Sequence, residues 1–136
     1  MTEITVKLRS LPDTAAAVGW AGGHSLTVDR PAGVARGEGL GFNGGQLLAL
    51  AIGGCFCNDL HYVATAEGVE LYALSVEVTL ELSGEPLIAT AARMTVSATA
   101  AEGVDVAAIV AKAKADSTVS NSLARGLPVE VAARAG

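Results

Sequence analysis

The stretch at residues 41–68 reads GFNGGQLLALAIGGCFCNDLHYVATAEG, and its pattern decides most of the fold. From Gln46 to Glu67 the apolar residues recur at spacings of three and four, which is the period of one helix face. Gly68 follows directly, and glycine is a common residue just past the end of a helix. The stretch therefore predicts a long, mostly buried helix from Gln46 to Glu67.

Two adjacent glycines lie inside this predicted helix. At Gly53 and Gly54 a glycine costs about 1 kcal/mol per residue relative to alanine. Such glycines usually have a packing reason. We therefore expect another helix or a partner chain to pass too close for side chains here, beside Cys55.

The segment before the helix is rich in glycine. Between Arg36 and Gly45 it contains five glycines, which neither a helix nor a regular strand would favour. The segment therefore predicts a loop that can bring its backbone close to another group.

The N-terminal part of the chain predicts short strands. Apolar residues alternate from Ile4 to Leu8, and Ser25 to Val28 is a short extended run that follows the turn signal Gly22-Gly23. These patterns predict an N-terminal antiparallel meander.

The second half of the chain alternates in the same way and then becomes helical. Leu74 to Leu82 alternates apolar and polar residues, Gly84-Glu85-Pro86 makes a turn, and Met94 to Ala98 alternates again, so we predict a hairpin. Further on we predict a helix from Val104 to Lys114, which Asp105 can cap. A turn at Ser120 to Leu123 and a last short strand at Leu127 to Val131 are predicted after it. The order of elements indicates the α+β class.

Length and composition indicate one domain that associates with another chain. A chain of 136 residues falls in the usual range for one domain, so residues 1–136 are predicted to form a single unit. The hydrophobic fraction is 51% and the charged fraction 17%, which excludes a disordered chain and favours apolar faces buried against a second subunit.

Charge and hydropathy exclude several classes of partner. A net charge of -5 without a cluster of lysine and arginine offers nothing that attracts nucleic acid or an anionic membrane. The N-terminus alternates apolar and polar residues and is not a signal peptide, and we expect no stretch to reach a membrane span. These features predict a cytoplasmic protein.

The two cysteines allow more than one interpretation. Cys55 on an apolar face is either a buried small side chain or a nucleophile. Asp59 lies one turn further on the same face. Its carboxylate either disfavours a thiolate at Cys55 by charge repulsion or binds a polar partner. Cys57 and His61 make only two of the four ligands of a structural zinc site, so we predict no metal. Cys57 is also a poor disulfide partner for Cys55, because residues two apart on a helix point to opposite sides.

Other polar and aromatic residues have a structural and a functional interpretation. Trp20, the only tryptophan, is a core or interface anchor or lines a pocket. The residues Ser117, Ser120 and Asn121 are expected to act as turn and cap residues.

Two segments together resemble the OsmC/Ohr superfamily, which comprises osmotically inducible and organic hydroperoxide resistance proteins. One runs from Gly41 to Leu60, where a glycine-rich loop enters a helix that carries Cys55. The other runs from Ser117 to Leu123 and is similar to the family's second-cysteine motif. The resemblance implies an OsmC-like fold and an intertwined homodimer, with no cofactor.

The resemblance also implies a chemistry. In the family, a first cysteine attacks the peroxide as a thiolate and a second cysteine resolves the sulfenic acid, while an arginine and a glutamate assist. Cys55 matches the position of the first cysteine, whereas Ser117 stands at the position of the second cysteine. The glutamate position falls at Gln46 or Gly45, and His24 stands where the family has its arginine. This chain thus resembles a divergent member that lacks the second cysteine.

Two functions follow from the resemblance and its departures. The first is a thiol-dependent reductase of organic hydroperoxides, in which Cys55 is the nucleophile, His24 positions the peroxide or stabilises the thiolate, and an external thiol regenerates the enzyme. The second is a dimer of the same fold that binds a small hydrophobic ligand without turnover. Gln46, Asp59, Ser117 and Trp20 are candidate pocket residues in either case.

Overall fold

A computed structural model describes residues 1–134, and their contacts group them into two compact units. The first unit is Met1–Leu48 and the second extends from Ala49 to the end of the described chain. Each unit is described separately below, and the single domain expected from the length stays a prediction. Strands and helices occur in both units, so the chain has the predicted α+β composition.

The first unit contains a three-stranded antiparallel sheet in the order β1-β2-β3. Its strands are β1 (Lys7–Ser10), β2 (Ala17–Ala21) and β3 (His24–Val28). This confirms the meander, but the predicted strand start at Ile4 is wrong. Pairing with β2 begins only at Lys7, so the residues before it have no opposite strand, and Ile4 is exposed.

The glycine-rich loop passes very close to β3. A Cβ at Gly41 would lie only 2.1 Å from the carbonyl oxygen of Thr27, so no side chain fits there. The amide of Phe42 donates to the same oxygen, and Val28 forms an isolated bridge with Phe42. The loop therefore brings its backbone against another strand, as its composition predicts.

The long helix is α1 (Gly44–Ala66). It starts two residues before the predicted Gln46 because Asn43 caps it: the amide of Gln46 donates to Asn43 Oδ1, and the amide of Asn43 donates to Gln46 Oε1. Its buried side consists of Ile52, Gly53, Phe56, Asp59, Leu60, Val63 and Ala64. The predicted long helix is thus confirmed, but the expectation that it is mostly buried is wrong, because only these seven of its 23 residues are buried and many of the others are exposed.

A long hairpin covers this side of α1 in the second unit. Its strands, β4 (Leu71–Ser83) and β5 (Ile88–Ala100), are longer than their predicted cores. Their inward residues, such as Val76 and Val96, pair across the hairpin and contact the core. The outward residues are exposed, which explains the strict alternation of the sequence.

The two interior glycines of α1 differ in their surroundings. A Cβ at Gly53 would lie 3.0 Å from Val78 Cγ2, so within this chain the close neighbour is strand β4 and not the second helix that we expected, while a partner chain at these glycines stays a prediction. A Cβ at Gly54 would meet nothing within 4 Å, and Gly54 is exposed. Within the described chain, only Gly53 has a packing reason to be a glycine.

Two short helices complete the second unit. They are α2 (Val106–Asp116), capped by Asp105 as predicted, and α3 (Thr118–Arg125). Ile109 and Ala113 of α2 join Phe56, Leu60 and Val63 in the core. The predicted last strand at Leu127–Val131 is wrong for residues 1–134, because no strand of the chain pairs with this segment, and its apolar side chains are exposed.

Helix α1 also bears on the expected absence of a membrane span. By length and composition alone, this helix is sufficient to cross a membrane. Core helices of soluble proteins meet the same criterion. Phe56, Leu60 and Val63 of α1 pack into the core of the second unit, as in such a helix.

Candidate active site around Cys55

The sulfur of Cys55 lies beside a carboxylate of its own helix. Cys55 and Asp59 are one turn apart on α1, and a spacing of four residues places side chains on the same face. Cys55 Sγ and Asp59 Oδ2 are 3.6 Å apart, in hydrogen-bonding geometry with the thiol as donor. Cys55 is half-buried and Asp59 is buried, so the carboxylate lies in the protein interior and the thiol remains partly accessible.

A serine approaches the same sulfur from the junction of α2 and α3. Ser117 is fully buried, and its hydroxyl donates to Cys55 Sγ over 3.9 Å. It continues the buried side of α2, because Ile109, Ala113 and Ser117 follow one another at intervals of four. The junction therefore brings Ser117, the residue that the resemblance matches to the family's second cysteine, next to Cys55.

The expected capping role of Ser117 is wrong for its side chain. Ser117 stands at the N-cap position of α3, yet its hydroxyl makes no capping hydrogen bond there. Asn121 does act at this junction, because its side-chain amide donates to the carbonyl of Ala115 at 3.0 Å. The hydroxyl of Ser117 is thus directed at the sulfur instead of at the helix end.

The three side chains form a small polar cluster, which we call the Cys55 cluster: Cys55, Asp59 and Ser117. It gives the sulfur one acceptor and one donor. No cation is among these contacts, and the usual means of stabilising a thiolate is a neighbouring cation. The cluster therefore provides a base and a hydroxyl beside the sulfur, a different set from the arginine and glutamate that the resemblance implies.

The remaining candidate site residues belong to the first unit. His24 is exposed and opens β3 after the Gly22-Gly23 turn. Trp20 of β2 is half-buried, and the guanidinium carbon of Arg9 lies 5.6 Å from its ring centre, at the distance of a cation–π contact. The side chain of Gln46 caps the start of α1. Their participation in a site with Cys55 stays a prediction.

The other cysteine of α1, Cys57, is not among the hydrogen-bonded residues of the Cys55 cluster. Cys57 is half-buried, His61 is exposed, and neither cysteine is in a disulfide. Residues 1–134 contain no group of three or more histidine, cysteine, aspartate or glutamate residues placed to hold a metal ion.

The sequence patterns did not single out a buried aspartate at the end of β3. Asp29 Oδ2 accepts from the amides of Leu40 and Glu38, and Oδ1 accepts from the amide and the side chain of Arg30. The amide of Leu40, more than any other group, lowers the pKa of Asp29, which falls from 3.8 to about 2 although burial opposes it. Asp29 therefore holds the glycine-rich loop in place.

A shallow cleft of about 270 Å³ lies in the first unit beside Asp29. Most of its lining is apolar, and Arg30 and Asn43 are its other polar residues, with the walls formed by Ala15, Ala17, Val28, Phe42, Gly44 and Leu47. The signal for this region in the sequence is an aspartate that precedes a run of glycines, since carboxylates accept hydrogen bonds from loop amides.

The family follows from the sequence itself. Residues 37–132, which include the whole Cys55 cluster, match the family described as OsmC-like protein. This chain belongs to the OsmC-like protein family. The match spans more than half of the chain and contains α1, the hairpin and both short helices. No sequence among the curated proteins matches the chain significantly.

Solved structures confirm the OsmC-like fold. An OsmC-like protein from Mycoplasma pneumoniae has a TM-score of 0.73 at 15% identity, over 90% of this chain and 88% of its own. An organic hydroperoxide resistance protein from Legionella pneumophila has a TM-score of 0.62 at 22% identity, over 90% of both chains. OhrB of Bacillus subtilis, also an organic hydroperoxide resistance protein, has a TM-score of 0.60 at 18% identity, over 89% of this chain and 90% of its own.

Proposed function

We propose that this OsmC-like protein reduces organic hydroperoxides with Cys55 as its only essential cysteine. The observation that carries the proposal is the Cys55 cluster, in which the family's second-cysteine position adjoins the sulfur but holds a hydroxyl, with Ser117 Oγ 3.9 Å from Cys55 Sγ. Two solved structures of this fold are organic hydroperoxide resistance proteins, which supports the substrate class.

The proposed reaction has two stages. Cys55 Sγ attacks the terminal oxygen of the hydroperoxide, the O–O bond breaks, and the products are an alcohol and a sulfenic acid on Cys55. An external thiol then condenses with the sulfenic acid and releases water, and a second thiol reduces the mixed disulfide to restore Cys55. The external thiol is required because Ser117 cannot form a disulfide and Cys57 is badly placed to do so.

We also propose that the working form is a homodimer. The exposed apolar side chains include Ile4 at 89%, Val129 at 79% and Val131 at 92%, all in terminal segments without a strand partner. Extended segments of this kind leave unpaired backbone groups that a second chain can pair with. His24, Trp20 and Gln46 of either protomer then complete the pocket of Cys55, with His24 positioning the peroxide or stabilising the thiolate.

Steady-state consumption of cumene hydroperoxide with several thiol reductants tests the proposal. We expect activity in the wild type and in Cys57→Ser, loss of activity in Cys55→Ser, and a larger decrease in His24→Ala than in Ser117→Ala. Cumene hydroperoxide should be preferred to hydrogen peroxide, because each buried methylene contributes about 0.8 kcal/mol. Equal rates for the wild type and Cys55→Ser would contradict the proposal.

A second candidate function is the binding of a small hydrophobic molecule without turnover. The apolar cleft of the first unit favours it, and so does the carboxylate of Asp59, because a negative charge beside Cys55 opposes thiolate formation. The same assay separates the two functions. If the wild type consumes no more hydroperoxide than Cys55→Ser but binds a fluorescent apolar probe, the result supports the ligand-binding function.

A further inference from the structure

We propose that Asp59 is the general base that takes the thiol proton of Cys55 during attack on the hydroperoxide. The inference rests on the proposed peroxidase function and assigns a role to a residue that the family's arginine and glutamate do not cover. It starts from the placement of a buried carboxylate 3.6 Å from the reacting sulfur.

The contact between sulfur and carboxylate requires one proton. Two negative charges at this distance would repel each other strongly, because the buried position of Asp59 limits screening by water. With one proton present, either the thiol donates to the carboxylate or the carboxyl group donates to the thiolate. The pair is therefore arranged to pass a proton between Sγ and Oδ2 along an existing hydrogen bond.

The surroundings support transfer to Asp59 at the moment of attack. The described hydrogen bonds and ion pairs of Asp59 include no cation, and its side-chain partner is Cys55. Ser117 donates to the sulfur from the other side, so the hydroxyl helps to hold negative charge as it forms on Sγ. A thiolate that is not stabilised in advance by a cation can still form transiently when a base is in contact.

The step is balanced in atoms and charge. As Sγ forms its bond to the terminal peroxide oxygen, the thiol proton moves to Asp59 Oδ2 and the O–O bond breaks. The alkoxide that leaves receives a proton from Asp59, directly or through water. The products are the sulfenic acid of Cys55, the alcohol and an ionised Asp59 that is ready for the next cycle.

The test compares two reactions of Cys55 in a Cys57→Ser background, so that only one thiol is present. One is alkylation by iodoacetamide at neutral pH, which reports the thiolate population, and the other is kcat/KM for cumene hydroperoxide. In Asp59→Asn the carboxylate charge is gone, so we expect alkylation to rise on the order of tenfold. Without the base, kcat/KM should fall on the order of a hundredfold.

Opposite changes of the two rates identify a base, because a merely structural role would move both in the same direction. If both rates rise, Asp59 only suppresses the thiolate and the proposal is wrong. If both stay the same or both fall, it is also wrong. If the Cys57→Ser parent itself shows no more turnover than Cys55→Ser, the peroxidase function fails, and the role of Asp59 as its base fails with it.

Chemical rescue provides a test that does not depend on Asp59→Asn folding well. In Asp59→Ala, with Cys57→Ser, the space of the carboxylate is vacated, and sodium formate can enter it. We expect formate to raise kcat/KM for cumene hydroperoxide by at least severalfold, whereas sodium chloride at the same ionic strength should not. A folded Asp59→Ala protein that retains the parent's activity, or one whose lost activity formate does not restore, would overturn the proposal.

Discussion

At the scale of single residues, the surroundings of Cys55 differ from those expected of a thiol with a resolving partner. Its hydrogen-bond partners are Asp59 on the same helix and Ser117 at the junction of α2 and α3. Since the resemblance matches Ser117 to the family's second cysteine, one substitution can test whether the two side chains are placed to form a disulfide.

We expect Ser117→Cys to form a disulfide with Cys55 when the protein is treated with peroxide. Ser117 Oγ and Cys55 Sγ are 3.9 Å apart, so only a small adjustment is needed to reach the S–S bond length of about 2 Å. Thiol titration and intact mass should show loss of two hydrogens. The matched control is Ser97→Cys, which lies on the outward side of β5 and should form no such bond.

Failure of Ser117→Cys to cross-link in a folded protein would contradict the placement of Ser117 beside Cys55. Cross-linking of both variants to the same extent would show that the bond reflects general mobility of the cysteines and not this geometry.

Asp29 predicts a defined acid dependence of stability. The pKa of Asp29 is about 2 in the folded protein and 3.8 for an ordinary aspartate, so the ionised form favours the folded state. Its contribution is complete above about pH 4 and is lost as pH falls toward about 2. Thermal melting of the wild type should therefore shift downward over this range.

The variant Asp29→Asn should melt at a lower temperature at neutral pH and should lack this part of the acid dependence. Its amide group cannot accept all the hydrogen bonds that Asp29 accepts from Leu40, Glu38 and Arg30. Glu38→Gln, on an exposed side chain, is the control. An unchanged acid profile in Asp29→Asn would show that Asp29 does not anchor the loop.

At the scale of elements, Gly41 is required by the close approach of the loop to β3. A Cβ there would overlap the backbone of Thr27, which cannot move without disturbing the sheet. We expect Gly41→Ala to lower the free energy of unfolding by about 3 kcal/mol or more, measured by urea denaturation. Gly23→Ala, where a Cβ meets nothing within 4 Å, should change it by less than about 0.5 kcal/mol. Equal effects would contradict the loop geometry.

The exposed side of α1 is the second feature at this scale. Among the described residues, a Cβ at Gly54 would meet nothing within 4 Å, and we propose that a second protomer packs against this position. Gly54→Leu should therefore weaken the homodimer, seen as a higher dissociation constant in sedimentation equilibrium. Ala111→Leu, at an exposed position of α2, adds the same side chain elsewhere and should leave the dimer intact. An unaffected dimer in Gly54→Leu would exclude this side of α1 from the interface.

Periodic patterns predicted most elements, and the errors have a common cause. The long helix and the hairpin follow from local spacing, because burial of one face imposes it. Ile4 and the segment Leu127–Val131 have strand-like sequences, but a strand also needs a partner, which local spacing does not reveal.

The candidate site was predicted only in part for the same reason. Cys55 and Asp59 share a helix, so their spacing of four residues predicts the contact. Ser117 lies more than sixty residues away, and its position beside Cys55 depends on how α2 packs, so only the family resemblance pointed to it. The anchoring role of Asp29 depends on the path of a loop, which no periodic pattern encodes.

At the scale of the whole molecule, the chain has more apolar surface than one copy buries. The terminal segments expose Ile4, Val6, Val129 and Val131. The net charge of -5 does not favour nucleic acid as the partner that covers them. A homodimer is the association that this family resemblance and these exposed segments favour.

In the proposed reaction, Cys55 reduces a hydroperoxide and is left as a sulfenic acid that no thiol of its own chain resolves. Intact-protein mass spectrometry after one equivalent of cumene hydroperoxide can detect this product. We expect a gain of one oxygen atom, mapped to Cys55 and removed by an added thiol. Loss of two hydrogens from a Cys55–Cys57 disulfide, or an unmodified Cys55, would contradict it.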